Sequence, residues 1–214
     1  AREDEVVVYV SWEDTVESMG VYDLANDALI DVSEINEGRI DDAAMARLEA
    51  AAMRRGALPL WAIGHSGARR KRAQPMTMSM VESALEWIEE QMGRKVTAIF
   101  LDYVNLIVPE SKAAWGENRR TDIMENTFRA RSLALARGCP VIMGAQAGRQ
   151  TNERAWKLPQ KWDAQESSAI EQYSDVMLST WLPATTEDND RLEAPNGVVL
   201  DVTPNLLILG LLKQ

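Results

Sequence analysis

The sequence contains one cysteine and one histidine among its 214 residues. A single thiol forms no disulfide within a chain, and Cys139 lies in an apolar run, which indicates a buried side chain in a reducing compartment. A single imidazole, His65, excludes a metal site built from several histidines. The longest apolar run, Leu206 to Leu212, is far shorter than the ~20 residues of a membrane-spanning helix. These absences favour a cytoplasmic location and predict no membrane partner.

Basic residues are also in the minority. The 23 lysines and arginines are outnumbered by 33 aspartates and glutamates, so the formal net charge is −10. An acidic chain is not a general nucleic-acid binder, and any such binding would need local basic clusters. No internal repeat or low-complexity linker divides the sequence, and its length suits one sheet with flanking helices. We therefore predict a single domain over residues 1–214.

The clearest strand is Val96–Leu101, in which five of six residues are apolar. Such a run is typical of the middle of a parallel sheet. Further strands are predicted at Glu5–Ser11, Ala57–Ile63, Pro140–Ala145, Asp175–Trp181, Gly197–Val202 and Leu206–Leu212. Pro59 suggests an edge position for the second of these, and we expect the last two to pair antiparallel with each other.

Helical patterns separate most of these strands. They are predicted at Thr15–Leu29, Asp41–Arg55, Met80–Met92 and Asp122–Arg137, with Ala169–Tyr173 as a helical turn. Ser79 and Glu82 form a predicted capping box before the third helix. The alternation predicts an α/β fold: a mostly parallel sheet with helices on both faces and antiparallel strands at the C-terminal edge.

Three predicted strands are followed by a side chain that could act on a nucleotide, namely Glu13, Asp102 and Gln146. The carboxyl ends of parallel strands share one edge of a sheet, where such folds bind ligands. A carboxylate that polarises water, another that supports Mg²⁺ and an amide that senses a phosphate would form a nucleotide-hydrolysing set. Polar residues also simply cap strands, and from the residues alone this alternative stays open.

The order of the motifs resembles the C-terminal motor domain of DnaB-type replicative DNA helicases. The similar segments cover nearly the whole chain and are Val8–Glu13, Ile35–Asp41, Ile99–Leu106, Pro140–Arg149 and Trp162–Asp175. The last segment is the most specific, because Glu166-Ser167 and Ile170-Glu171-Gln172 stand at the spacing of the family.

This resemblance implies a RecA-like P-loop NTPase core that couples ATP and Mg²⁺ to 5′-to-3′ DNA unwinding. It also implies a homo-hexamer that hydrolyses ATP at subunit interfaces, encloses single-stranded DNA and meets a primase or a helicase loader. By position, Glu13 is the catalytic base, Gln146 senses the γ-phosphate and Asp102 supports the Mg²⁺ and ATP. Gln172 is a further nucleotide-binding residue.

The resemblance places single-stranded DNA against two loops, Pro109–Thr121 and Ala147–Ser168. Their basic residues are those that backbone phosphates require: Lys112, Arg119, Arg120, Arg149, Arg154, Lys157 and Lys161. Without the resemblance, two solvated loops would be the preferred explanation. The separate basic run Arg69–Arg72 is interpreted as surface charge or a subunit contact.

Two catalytic parts of the family have no counterpart. No Gly-x-x-x-x-Gly-Lys-Ser/Thr motif cradles the phosphates, and the arginine that would follow a segment like Leu209–Gln214 is absent. We therefore expect a chain truncated at both ends that hydrolyses little ATP alone. In addition, Gly-Ala-Gln replaces the usual Leu-Ser-Gln before the sensor position, and Gln165 stands where the family often has arginine.

Two alternatives remain. One is a RecA-like subunit that lost its phosphate loop and serves as an inactive structural or regulatory partner. The other is a RecA-fold ATPase of recombination or signalling, against which the segment Ser167-x-x-Ile170-Glu171-Gln172 argues.

Overall fold

A computed structural model describes residues 5–66, 76–110, 119–164, 168–187 and 189–214. The helices are α1 (Val16–Ala28), α2 (Val32–Asn36), α3 (Asp42–Gly56), α4 (Met78–Met92), α5 (Arg119–Arg137) and α6 (Ser168–Tyr173). The strands are β1 (Val6–Thr15), β2 (Leu60–His65), β3 (Val96–Asp102), β4 (Val141–Met143), β5 (Met177–Trp181), β6 (Arg191–Glu193), β7 (Val199–Asp201) and β8 (Ile208–Lys213). In these ranges, no helix combines the length and apolarity needed to cross a membrane.

The fold is organised around a four-stranded parallel sheet in the order β2-β1-β3-β4. Val10 of β1 pairs with Ile63 of β2 on one side and with Leu101 of β3 on the other. Leu101 in turn pairs with Met143 of β4. The predicted α/β fold with a mostly parallel sheet is confirmed, and so is the edge position of the strand that follows Pro59.

Helices lie on both faces of this sheet. The connection from β1 to β2 runs in one direction across the sheet, whereas those from β2 to β3 and from β3 to β4 run in the other. Because crossovers between parallel strands are right-handed, α1–α3 and α4–α5 lie on opposite faces. The core includes Val8, Leu85, Ile99 and Ile123, each at most 2% exposed. On β1, Tyr9 lies between the buried Val8 and Val10, points to the opposite face of the sheet and is only half-buried.

The strands near the end of the chain pair differently from the prediction. β8 pairs antiparallel with β5, with Ile208 opposite Trp181, and β7 pairs antiparallel with β6. The two closing segments therefore do not pair with each other, and that expectation is wrong. Trp181 packs with Leu158 and Leu192 in a small core of its own, and burial of this indole favours the observed partner. Among the described residues, these pairs form two separate sheets and do not extend the parallel one.

The helix α4 begins at Met78, two residues before the predicted start. Its N-cap is Thr77, whose hydroxyl accepts an N–H bond from the residue three positions later. The backbone N–H of Ser79 instead donates to the carboxylate of Glu110 at 2.9 Å. The predicted capping box of Ser79 and Glu82 is therefore wrong. Thr77 and Ser79 are both hydroxyl residues near the helix start, and Thr77 is the cap whereas Ser79 hydrogen-bonds to Glu110.

The single cysteine is buried, as predicted. Cys139 is 9% exposed and belongs to the main core. Burial raises the pKa of its thiol above the ordinary value. Since the thiolate is the reactive form, this thiol is expected to be inert at neutral pH.

Candidate functional site

The carboxyl ends of β1, β3 and β4 lie side by side at one edge of the parallel sheet. Ser11 and Asp102 are the last pair between β1 and β3. Glu13 lies within β1, two residues beyond that pair, and Gln146 follows the end of β4 on the other side of β3. Neighbouring strands are about 4.8 Å apart, so the three strand ends span roughly 10 Å. The structure thus brings the three predicted residues to one edge, while their chemical roles stay predictions.

Glu13 is an exposed carboxylate on a firmly held backbone. The buried hydroxyl of Ser11 accepts the backbone N–H groups of Glu13 at 3.3 Å and of Asp14 at 2.9 Å. The intervening Trp12 is 7% exposed, and its indole N–H donates to the carbonyl of Met76 at 2.7 Å. These contacts fix the chain around Glu13 and leave its side chain facing solvent at the sheet edge.

Asp102 is the last residue of β3, and its two carboxylate oxygens have different surroundings. Oδ2 accepts a hydrogen bond from the hydroxyl of Tyr9 at 2.6 Å. Oδ1 accepts no hydrogen bond from the described residues. It lies near Gly144: a Cβ atom placed on that glycine would be 3.6 Å from Oδ1. Burial, together with the hydrogen bond to Asp102, raises the pKa of Tyr9 above its ordinary value. Tyr9 was not among the predicted site residues. The register of β1 with β3, in which Tyr9 pairs with Phe100, puts its side chain on the same face as Asp102.

A metal ion at this edge would have few protein ligands. No group of three or more His, Cys, Asp or Glu side chains suited to a metal occurs in the described ranges. Mg²⁺ usually keeps several waters and takes one or two carboxylates together with phosphate oxygens. One carboxylate with an uncommitted oxygen fits an ion that arrives with a nucleotide, and Asp102 is the residue that could hold it.

The two predicted glutamines are exposed and do not contact Asp102 through a hydrogen bond in the described residues. β4 ends at Met143, two residues before the predicted Ala145. The N–H of Gly144 still donates to the carbonyl of Leu101 on β3, but Met143 is the last residue of β4 that pairs with β3. Gln146 is exposed beyond that end, and Gln172 is exposed on α6, which packs against α5. Within the part of the chain that the structure describes, neither amide hydrogen-bonds to Asp102.

The segment Ala147–Ala164, within the loop after β4, is closed and built around a buried charge. Ala147 and Ala164 form a bridge that joins its two ends. Asp163 is 0% exposed, and its carboxylate accepts hydrogen bonds from the guanidinium of Arg154 and from the backbone N–H of Gln160. Burial would raise the pKa of Asp163, but these two donors hold it below its usual range. Arg154, a predicted DNA-binding residue, thus neutralises a buried carboxylate.

Two lysines predicted to bind DNA are also paired within the chain. Lys157 lies 2.7 Å from Glu187 and donates to the carbonyl of Thr186 at 2.8 Å. Lys161 lies 3.0 Å from Glu171. Much of the positive charge counted in this loop therefore balances acidic groups of the same chain.

Three predicted DNA-binding arginines are exposed. Arg119 and Arg120 lie in the first turn of α5, which starts three residues before the predicted Asp122. Arg149 begins a 3-10 helix that ends at Glu153. No other described residue forms a hydrogen bond or ion pair with the side chains of Arg120 and Arg149. A cation in the first turn of a helix is repelled by the positive end of the helix dipole, and a bound anion would reduce this repulsion.

Some sequence-based assignments lie outside the described residues. They are Lys112, the run Arg69–Arg72, Gln165, and the Glu166-Ser167 pair of the most specific motif.

The chain is similar to curated replicative helicases over part of its length. It is 35% identical over 100 residues to a probable plasmid replicative DNA helicase of Chlamydia psittaci, covering 47% of this chain and 20% of that protein. It is 34% identical over 104 residues to the replicative DNA helicase DnaB of Rickettsia felis, covering 48% and 20%. The matched segment is about a fifth of the length of each relative.

Solved structures support the same fold over nearly the whole chain. One, of a DnaB-like replicative helicase and its interactions with primase, superposes with a TM-score of 0.74 at 18% identity and covers 97% of this chain and 47% of that chain. A second, of an ATPase domain, gives 0.72 at 19% identity, covering 97% and 70%. The family model described as DnaB-like helicase C terminal domain matches residues 1–200. The chain therefore belongs to the DnaB-like helicase C-terminal domain family.

Proposed function

We propose that this chain is the ATP-driven motor domain of a replicative DNA helicase that unwinds DNA 5′-to-3′ as a homo-hexameric ring, with ATP and Mg²⁺ as cofactors. The observation that carries the proposal is the edge formed by β1, β3 and β4. There an exposed carboxylate near the end of β1, a hydrogen-bonded carboxylate at the end of β3 and an exposed amide after β4 belong to three adjacent strands of a DnaB-type domain.

Each side chain at this edge has a chemical role in the proposal. Glu13 accepts the proton of the water that attacks the γ-phosphate, because an exposed carboxylate on a fixed backbone is a suitable base. Asp102 supports the Mg²⁺ that, when bound, neutralises the charge developing on the phosphate oxygens. Gln146 senses the γ-phosphate through its amide, and Gln172 is a further nucleotide contact.

Single-stranded DNA is the proposed nucleic-acid partner. Arg120 and Arg149 are the preferred phosphate contacts, since they have no partner among the described residues. Arg119, next to Arg120 in the sequence, is a third. In this proposal Arg154, Lys157 and Lys161 chiefly hold the second loop in shape. A primase is a proposed protein partner, supported by the primase interactions of the similar solved helicase, and a helicase loader is another. Such a replication motor would act in the cytoplasm.

ATP turnover by the complete encoded protein tests this function. We expect hydrolysis that requires Mg²⁺ and is stimulated by single-stranded oligonucleotides, whereas residues 1–214 alone hydrolyse little ATP. The competing proposal, an inactive RecA-like subunit or regulatory partner, is favoured by the lack of a Gly-x-x-x-x-Gly-Lys-Ser/Thr motif in these residues. A complete protein that neither binds nor hydrolyses ATP would decide for that alternative.

Replacing Arg149 with glutamine is expected to weaken binding of single-stranded DNA roughly tenfold, equivalent to about 1.5 kcal/mol of charge-assisted hydrogen bonding. Loss of one phosphate contact should also lower the slope of log K against log salt by about 0.7. Fluorescence anisotropy of a labelled oligonucleotide at several salt concentrations measures both quantities.

Lys157→Gln is the matched control, because it removes the same charge from a lysine that is paired with Glu187. It should lower thermal stability and leave the salt slope near that of the unmodified protein. If Lys157→Gln reduced the salt slope and Arg149→Gln did not, then Lys157 and not Arg149 would be the residue that contacts DNA phosphates, and the proposal for this loop would be wrong.

A further inference from the structure

Tyr9 occupies a specific place beside Asp102. It pairs in register with Phe100, two residues before the aspartate, and the two rings stack with centroids 6.2 Å apart and planes 23° apart. The stack lies on the face of β1 and β3 opposite to the valine core, where the side chains are half-buried. The ring is therefore held between neighbours, and its hydroxyl points along the sheet towards the strand ends.

The hydroxyl makes one hydrogen bond, and its acceptor is the carboxylate at the proposed nucleotide site. Its oxygen lies 2.6 Å from Oδ2 of Asp102, a short distance typical of a hydroxyl that donates to an ionised carboxylate. This bond restricts rotation of the carboxylate. It also leaves Oδ1 on the open side next to Gly144, where no side chain of the described residues binds it.

We propose that Tyr9 is a positioning residue of the nucleotide site: its hydroxyl holds Oδ2 of Asp102 so that Oδ1 is free to bind the Mg²⁺ that arrives with a nucleotide. This inference rests on the proposed function. Its physical basis is that groups hydrogen-bonded to a ligating carboxylate orient it, and their removal typically costs 10–100-fold in metal affinity. A phenylalanine at this position would keep the stack and lose only the hydroxyl.

The test is the Mg²⁺ dependence of nucleotide binding by the complete protein carrying Tyr9→Phe. A fluorescent ATP analogue is titrated at a series of Mg²⁺ concentrations and in EDTA. We expect the Mg²⁺ concentration for half-maximal binding to rise about tenfold, with Mg²⁺-independent binding unchanged. Tyr22→Phe is the matched control, because Tyr22 is 49% exposed on α1. In an Asp102→Asn background, Tyr9→Phe should have little further effect.

The outcomes separate the two proposals. If the unmodified protein binds the nucleotide with Mg²⁺ and Tyr9→Phe behaves like Tyr22→Phe, the role of Tyr9 is wrong and the proposed function stands. Equal loss of binding with Mg²⁺ and in EDTA would indicate a packing role only, and would also overturn the inference. If the unmodified protein shows no Mg²⁺-dependent binding, the proposed function fails and the role of Tyr9 fails with it.

Discussion

Glutamine in place of Glu13 is expected to lower kcat for ATP hydrolysis by the complete protein by roughly 10²–10⁴-fold, the usual contribution of a general base. Nucleotide affinity should stay nearly unchanged, because glutamine has the same shape and the backbone around it is fixed by other groups. The hydroxyl of Ser11 and the indole of Trp12 make those contacts, and neither involves the carboxylate.

Steady-state ATPase assays and nucleotide titrations on the same preparation separate catalysis from binding. Glu49→Gln is the control, since Glu49 is exposed on α3, away from the sheet edge. Glu13→Gln with normal kcat would remove Glu13 as the base. A loss of nucleotide binding equal to the loss of turnover would show that its role is not confined to the chemical step.

The second large effect concerns stability. Asp163→Asn is expected to lower the free energy of unfolding by about 2 kcal/mol, because it removes the charge of a buried carboxylate that accepts two hydrogen bonds. Asp163 is 0% exposed and accepts from both Arg154 and the backbone of Gln160. Since a folded domain is stable by only about 5–15 kcal/mol, this is a large fraction of the total.

Denaturant unfolding measures this change, and Asp175→Asn is the matched control. Asp175 pairs with Arg131, but its side chain is 76% exposed, and such surface pairs contribute at most about 1 kcal/mol. Equal losses of unfolding free energy in the two variants would mean that the buried pair of Asp163 contributes no more to stability than an exposed pair.

The acid limb of the stability curve gives an independent check. The pKa of Asp163 is lower in the folded chain than its ordinary value. Its contribution is therefore present above the ordinary pKa of an aspartate and is lost as the pH falls through the folded pKa. Asp163→Asn should remove this part of the acid destabilisation, so that the two proteins become more alike in stability as the pH falls.

The parallel sheet could be predicted because its evidence is local. An apolar run such as Val96–Leu101 indicates a strand inside a sheet whatever its partners are. In the structure the face with Ile99 and Leu101 is buried, and the face with Ala98 and Phe100 is half-buried. The placement of Glu13, Asp102 and Gln146 at one edge then follows from the rule that parallel strands share their carboxyl ends.

The remaining features depend on partners distant in sequence. The apolar run Leu206–Leu212 does not say whether the preceding strand or β5 lies beside it, because register and partner are set by burial of residues such as Trp181. The charge of Lys157 could be counted from the sequence, but its pairing with Glu187, 30 positions later, could not. The contact between Tyr9 and Asp102 likewise spans 93 positions.

The burial of Cys139 has a practical consequence for spectroscopy. Because this thiol is 9% exposed and its pKa is raised, it should react slowly with maleimide dyes at neutral pH. A cysteine introduced at an exposed position such as Gln150 would then carry nearly all of the label, without prior removal of the native thiol. Fluorophores attached in this way could report how the loop between β4 and α6 responds to oligonucleotides and nucleotides in real time.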